Sequence, residues 1–109
     1  GSIPRGSGLS SSASLCVAIG RALAAARNIS VGDTALALAA QGTEHRWSGV
    51  HCGVMDQMAV AAGQPGAALL LDCADLSHRT VALPEDWAVM IVQSGVRREL
   101  VDGEYNARR

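Results

Sequence analysis

Apolar residues recur at Leu15, Ala18, Ile19, Ala22, Leu23 and Ala26, the i, i+3, i+4 spacing that lays one apolar stripe along a helix. The pattern predicts a helix over residues 10–27, closed by Asn28-Ile29-Ser30. Ser30-Val-Gly-Asp33 has the form of a capping box and predicts a second helix to about residue 46, with Ala35, Leu36, Leu38, Ala39 and Ala40 in its interior. Gly49 and Gly53 bracket a turn, and residues 55–62 read as a short third helix stopped by Gly63 and Pro65. Residues 67–72 and 88–93 are continuous apolar runs of strand length, and residues 80–83 form a further candidate strand before the Pro84 turn. The charged tail over residues 98–109 is weakly periodic and reads as the start of a helix. Helices and strands mix without regular βαβ alternation, which points to an α+β fold.

Length and composition narrow this picture. A chain of 109 residues with 49% hydrophobic residues is the size of one domain with one core. All nine basic residues are Arg, and against ten acidic residues they leave a net charge of −1. The Arg are scattered, so no basic face for nucleic acid is visible, and without Lys a P-loop of the Gly-Lys-Ser/Thr type is excluded. The apolar stretches fall short of the roughly 20 residues a membrane span needs, and nothing near Gly1 resembles a signal peptide. Cys16, Cys52 and Cys73 are odd in number and lack CxxC spacing. They read as buried thiols of a soluble, cytoplasmic protein rather than a disulfide framework or a zinc site. His45, His51 and His78 show no ligand spacing and read as structural.

The Gly/Ser stretch over residues 1–14 feeds directly into the first predicted helix. Free N–H groups and the helix dipole make such a terminus attractive to anions. Gly6 and Gly8 would let backbone approach a ligand, and Ser10, Ser11, Ser12 and Ser14 add hydroxyl donors, so the loop suits phosphate without a Lys. An N-capped helix behind a Ser-rich connector explains the same residues, and the loop by itself leaves both readings open.

Four blocks in order add a resemblance. Pro4-Arg-Gly-Ser-Gly-Leu-Ser-Ser-Ser-Ala-Ser14 resembles the phosphate-binding motif of the GHMP kinases, in the form carried by the galactokinase branch. Glu44-His45 followed by Cys52-Gly-Val-Met-Asp-Gln57, then Leu71-Asp-Cys73, then Gln93-Ser-Gly-Val-Arg97 leading to Gly103-Glu-Tyr-Asn-Ala-Arg-Arg109 are similar to blocks of the same branch. The resemblance implies a single partial domain over residues 1–109, related to the α+β N-terminal domain of these kinases. It implies transfer of the ATP γ-phosphoryl group to the C1 hydroxyl of galactose, with ATP as co-substrate.

By the same resemblance, Gly6, Ser7, Gly8, Leu9, Ser10, Ser11 and Ser12 wrap the nucleotide phosphates, and Ser12 with Glu44 holds Mg²⁺. Such a cation takes hard oxygen ligands and is held by one or two protein groups plus phosphate and water. A solvated carboxylate near a helix C-terminus is the plain alternative for Glu44, though the helix dipole disfavours it there. Asp56 matches the catalytic base that accepts the proton of the sugar hydroxyl; its plain alternative is a first-turn helix acid. Gly53 and Tyr105 match sugar-contacting positions, and Arg97 a basic position near the phosphates.

Some positions depart from the branch. Arg5 stands where a small or apolar residue is usual, Trp47 stands where Phe is usual and is expected to stay buried, and Asp102-Gly103 replaces Ser-rich residues. No block resembles the Gly-Glu-His-Thr-Asp sugar motif or the C-terminal Gly-rich motif of the family, so these 109 residues alone are expected not to turn over. A related sugar as substrate, or a non-catalytic ATP and galactose sensor, are the alternatives; Ser12-Ala13 and Asp56 speak against the sensor.

Overall fold

A computed structural model describes residues 2–4, 7–49 and 51–92 of the chain. In order they form α1 (Ser11–Ala26), α2 (Asp33–Trp47), α3 (Met55–Ala62), β1 (Ala67–Leu71) and β2 (His78–Ala82). The three helices pack on one another, and β1 leans on α3. The arrangement is α+β, as the chain pattern predicts. The expected helix at residues 98–109 lies outside the described residues.

α1 ends as its sequence dictates. Asn28 takes the left-handed conformation at φ 54°, its N–H bonds the Ala25 carbonyl at 3.1 Å and the Ile29 N–H bonds the Ala24 carbonyl at 2.9 Å. This is a Schellman closure, with Asn supplying the left-handed residue that Gly usually does.

α2 starts differently from the prediction. Its N-cap is Gly32, extended at φ −69° and ψ 155°, and no side chain caps it. The Ser30–Asp33 capping box therefore does not form. Asp33 is drawn sideways instead, its Oδ1 lying 2.5 Å from Arg21 Nη2 on α1. The same guanidinium nitrogen donates to the Ala61 carbonyl at 2.7 Å, so one side chain ties α1 to the start of α2 and the end of α3. Both partners of the ion pair are exposed, which gives it a role in geometry more than in stability.

The core holds Val17, Leu36, Ala37, Ala40, Val54, Met58 and Ala61, with Cys16, Val31, Val60, Leu69, Leu71 and Leu76 packed against it. α1 buries Ala13 and Val17, while Leu15, Ile19 and Leu23 of the predicted apolar stripe point outward. α1 is so rich in Ala that the period alone does not choose a face. Small residues choose it: a Cβ on Gly20 would come within 2.6 Å of Leu36 Cδ1, so the Leu36 side chain of α2 packs directly over Gly20 of α1.

β1 and β2 pair antiparallel in the register Ala67↔Ala82, Leu69↔Thr80 and Leu71↔His78. β1 alternates half-buried and exposed residues along its length, the period-2 signature of a strand lying on a core. β2 is exposed throughout, and in sequence it begins two residues before the predicted strand at 80–83. The predicted strand over residues 88–93 is not formed at 88–92; Gln93 lies outside the described residues. A strand needs a neighbour to satisfy its backbone, and among the described residues the sheet holds β1 and β2 alone. Val89, Met90, Ile91 and Val92 are consequently exposed. Trp47, expected to be buried, is 80% exposed at the end of α2, and Cys73, expected to be a buried thiol, is exposed in the hairpin loop.

Candidate functional site

The loop entering α1 carries two left-handed residues, Gly8 at φ 73° and Ser10 at φ 55°. Ser7 Oγ donates to the Pro4 carbonyl at 2.7 Å, tightening the turn. Ser10 occupies the N-cap position but its side chain caps nothing, which argues against the simple N-capped helix. The Ser10 carbonyl accepts the Ser14 N–H at 2.9 Å, so the first-turn N–H groups of Ser11, Ser12 and Ala13 precede the intrahelical ladder. Ser7, Ser10 and Ser11 are half-buried, and Gly8, Leu9 and Ser12 exposed. Gly6 lies outside the described residues.

Glu44 does not behave as a solvated helix-end acid. It falls on the face of α2 that buries Leu36, Ala37 and Ala40, and it is 7% exposed. Its Oε2 accepts a hydrogen bond from Gln57 Nε2 on α3. The same nitrogen lies 3.5 Å from Cys52 Sγ. Two more α2 side chains grip this segment: Gln41 Nε2 donates to the Cys52 carbonyl at 3.0 Å, and His45 Nε2 meets that carbonyl at 2.8 Å. His45 also packs its ring against His51, with centroids 5.5 Å apart. The structural reading of these histidines holds, and their task is to fix the turn in front of α3.

That turn presents Gly53 half-buried and Asp56 exposed in the first turn of α3, where the helix dipole favours a carboxylate. The two thiols report how the groups converge. Burial raises the Cys16 thiol pKa, and the charges of Glu44 and Cys52 raise it further. Burial likewise raises Cys52, the Gln57 hydrogen bond opposes this, and the Glu44 and Asp56 charges add to the rise. Glu44 is thus close enough to both thiols, and Asp56 to Cys52, for their charges to be felt there, and Cys16 lies one helical turn after Ser12 on α1. Tyr105 and Arg97 lie outside the described residues.

Among the described residues no three His, Cys, Asp or Glu side chains gather to enclose a metal ion. The two residues that the resemblance assigns to a cation, the buried Glu44 carboxylate and the exposed Ser12 hydroxyl in the first turn of α1, are both hard-oxygen donors. That set fits Mg²⁺ carrying water and phosphate, and does not fit a thiolate-preferring ion.

Comparison with known proteins gives the family. Residues 1–64 match the family model described as the GHMP kinases N terminal domain. The chain belongs to the GHMP kinases. Among individual GHMP kinase relatives, the chain is 51% identical over 107 residues to a galactokinase of Chloroflexus aurantiacus. It is 50% identical, again over 107 residues, to a galactokinase of Chloroflexus aggregans. Both matches cover 98% of the chain and 27% of the relative, so the chain spans about a quarter of the length of the curated relatives it matches.

Gln57 was the residue that sequence reasoning passed over, treating it only as a neighbour of Asp56. A signal was present: Val54, Gln57, Met58 and Ala61 share one helix face by spacing, and Gln57 is the polar member of a face that is otherwise apolar and buried. Glu44 breaks the apolar face of α2 in the same way. No helix of the described residues is long and apolar enough to cross a membrane.

Proposed function

We propose that the chain is part of a galactokinase that transfers the ATP γ-phosphoryl group to the C1 hydroxyl of galactose in the cytoplasm. Residues 1–109 supply a partial domain with the phosphate loop, the metal carboxylate, the base and a sugar-contacting segment. The observation that carries the reading is the Glu44 carboxylate, buried on α2 and hydrogen-bonded to Gln57, the residue that directly follows Asp56. A buried acid costs free energy unless it is engaged, and Gln57 engages one Glu44 oxygen, leaving the other to the role proposed. The names of the relatives and the family match support the substrate assignment.

In this mechanism the backbone N–H groups at Gly6 to Ser12 and the serine hydroxyls bind the nucleotide phosphates, orienting the γ-phosphorus. Ser12 and Glu44 hold Mg²⁺, which when bound neutralises charge on the phosphate oxygens. Asp56 accepts the hydrogen bond of the sugar C1 hydroxyl and takes its proton as that oxygen bonds to the γ-phosphorus and the bond from γ-phosphorus to the β,γ-bridging oxygen breaks, releasing ADP. Gly53 and Tyr105 contact the sugar. Positioning dominates such transfers, since little covalent chemistry falls to the protein.

The test is a coupled ATP and galactose assay on the complete polypeptide. Turnover should require divalent cation, and Asp56→Asn should lower kcat by roughly 10²- to 10⁴-fold with nucleotide affinity retained. Full activity in Asp56→Asn would remove the assigned base, whereas no turnover of galactose by the complete polypeptide would leave nucleotide and sugar binding without catalysis as the remaining function.

A further inference from the structure

Gln57 is among the largest fully buried side chains, with 1% of its surface exposed, and it sits at the centre of the helix packing beside Met58. Its amide nitrogen donates to Glu44 Oε2 and touches Cys52 Sγ. Its amide oxygen, Oε1, is buried with no hydrogen-bond partner among the described residues. If Gln57 only filled space, an apolar side chain of the same volume would pack there without leaving a carbonyl oxygen desolvated and unpaired. The cost is understandable if the donor half of the amide is what the position needs. A carboxylate has no donor of its own, and fixing one of its oxygens stops rotation of the group, which sets where the other oxygen points.

We propose that Gln57 is a positioning residue: it orients the Glu44 carboxylate toward the divalent cation and locks that orientation to the helix turn that carries Asp56. The inference rests on the proposed role of Glu44 and adds the residue that makes that role directional. Because Asp56 and Gln57 are adjacent on α3, any movement of the base shifts the anchor of the metal carboxylate. The Gln41 and His45 contacts to the Cys52 carbonyl hold the front of the same turn. The arrangement is that of an outer-sphere hydrogen bond that orients a ligand, as is common around bound metals.

The experiment uses the complete polypeptide with Mn²⁺ as the probe. Mn²⁺ affinity is measured by electron paramagnetic resonance in the presence of a non-hydrolysable ATP analogue, beside metal-free binding of the same analogue and the melting temperature. Gln57→Met should weaken Mn²⁺ binding by about 10- to 100-fold and leave metal-free analogue binding unchanged. Gln57→Asn, which keeps the amide but withdraws it by one methylene, should act in the same direction and carries the test if Gln57→Met does not fold. Glu44→Gln should lose Mn²⁺ affinity at least as far. Parental Mn²⁺ affinity in both Gln57 variants, with loss in Glu44→Gln, overturns the inference and leaves the Glu44 assignment standing. Equal losses with and without metal also overturn it, since they report general damage. Parental affinity in Glu44→Gln takes away the assignment of Glu44 and the inference with it.

Discussion

Two glycines that look alike in sequence should answer the same substitution with opposite signs. Gly42 lies inside α2 with nothing within 4 Å of where its Cβ would stand. Gly42→Ala therefore removes the helix penalty of glycine without any contact to disturb, and should stabilise by about 1 kcal/mol. Gly63 closes α3 with φ −64° and ψ 146°, and its N–H bonds the Ala59 carbonyl at 3.0 Å. A Cβ there would meet that carbonyl oxygen inside the 3.0 Å limit that real Cβ atoms respect. The obstacle is backbone, which cannot swing aside as a side-chain tip can. Gly63→Ala must open the last turn of α3 or displace the chain toward β1, at a cost of about 1–3 kcal/mol typical of forced overpacking. The two variants should then differ by about 2–4 kcal/mol, the sum of these effects. Urea unfolding of the complete polypeptide reads the difference as midpoints on either side of the parent, with amide exchange in α3 faster only in Gly63→Ala. A Gly63→Ala protein as stable as the parent would refute the steric argument.

Other outcomes follow from the core and the titrating groups. Met58 is fully buried, so Met58→Ala should cost about 2–5 kcal/mol in urea unfolding, while Met58→Leu should cost less than about 1.5 kcal/mol. The thiols of Cys16 and Cys52 are held above the ordinary thiol range in the folded state, chiefly by burial. The folded state then keeps protons that the unfolded chain releases, so this contribution to stability is whole below the ordinary thiol pKa and lost as pH rises through that range. A Cys16→Ala variant should show a shallower alkaline decline, and exposed Cys73 should react with iodoacetamide before Cys16 at pH 7.5. Asp75 is held below the usual carboxylate range by its Ser77 hydrogen bonds. Its contribution is present at neutral pH and lost as pH falls through that range, and Asp75→Asn should flatten the acid limb of a stability profile.

What could be read from the residues alone depended on whether the deciding force was local. α3 matches its predicted bounds because Gly63 and the turn before Met55 punctuate it chemically. Asn28 likewise announces the end of α1. The face of α1 was not legible, because in an Ala-rich helix the choice is made by what α2 brings against Gly20. The apolar run at 88–92 satisfies every local criterion for a strand, but pairing is a property of a neighbour, and among the described residues β1 and β2 pair with each other alone. Asp33 fits a capping box until Arg21, twelve residues away, claims it. At the candidate site, the Gly/Ser loop ahead of α1 and the place of Asp56 in the first turn of α3 were legible from motif and position. Burial of Glu44 was written in its place on the apolar face of α2, and its bond to Gln57 was not, since that contact exists only once two helices cross.

The contact between Gly20 and Leu36 acts as a fulcrum. From Gly20 back to Ser12 is eight residues, a rigid arm of about 12 Å at the helical rise, and the Gly/Ser loop hangs from its tip. Glu44 is carried by the opposing helix, eight residues beyond Leu36, on an arm of equal length. A methyl group at position 20 would have to turn the Leu36 Cδ1 tip aside, and any shift of the helices left over would be carried to Ser12 and Glu44, each about two helical turns from the crossing. In the proposed mechanism, rate falls steeply with an ångström of such misplacement.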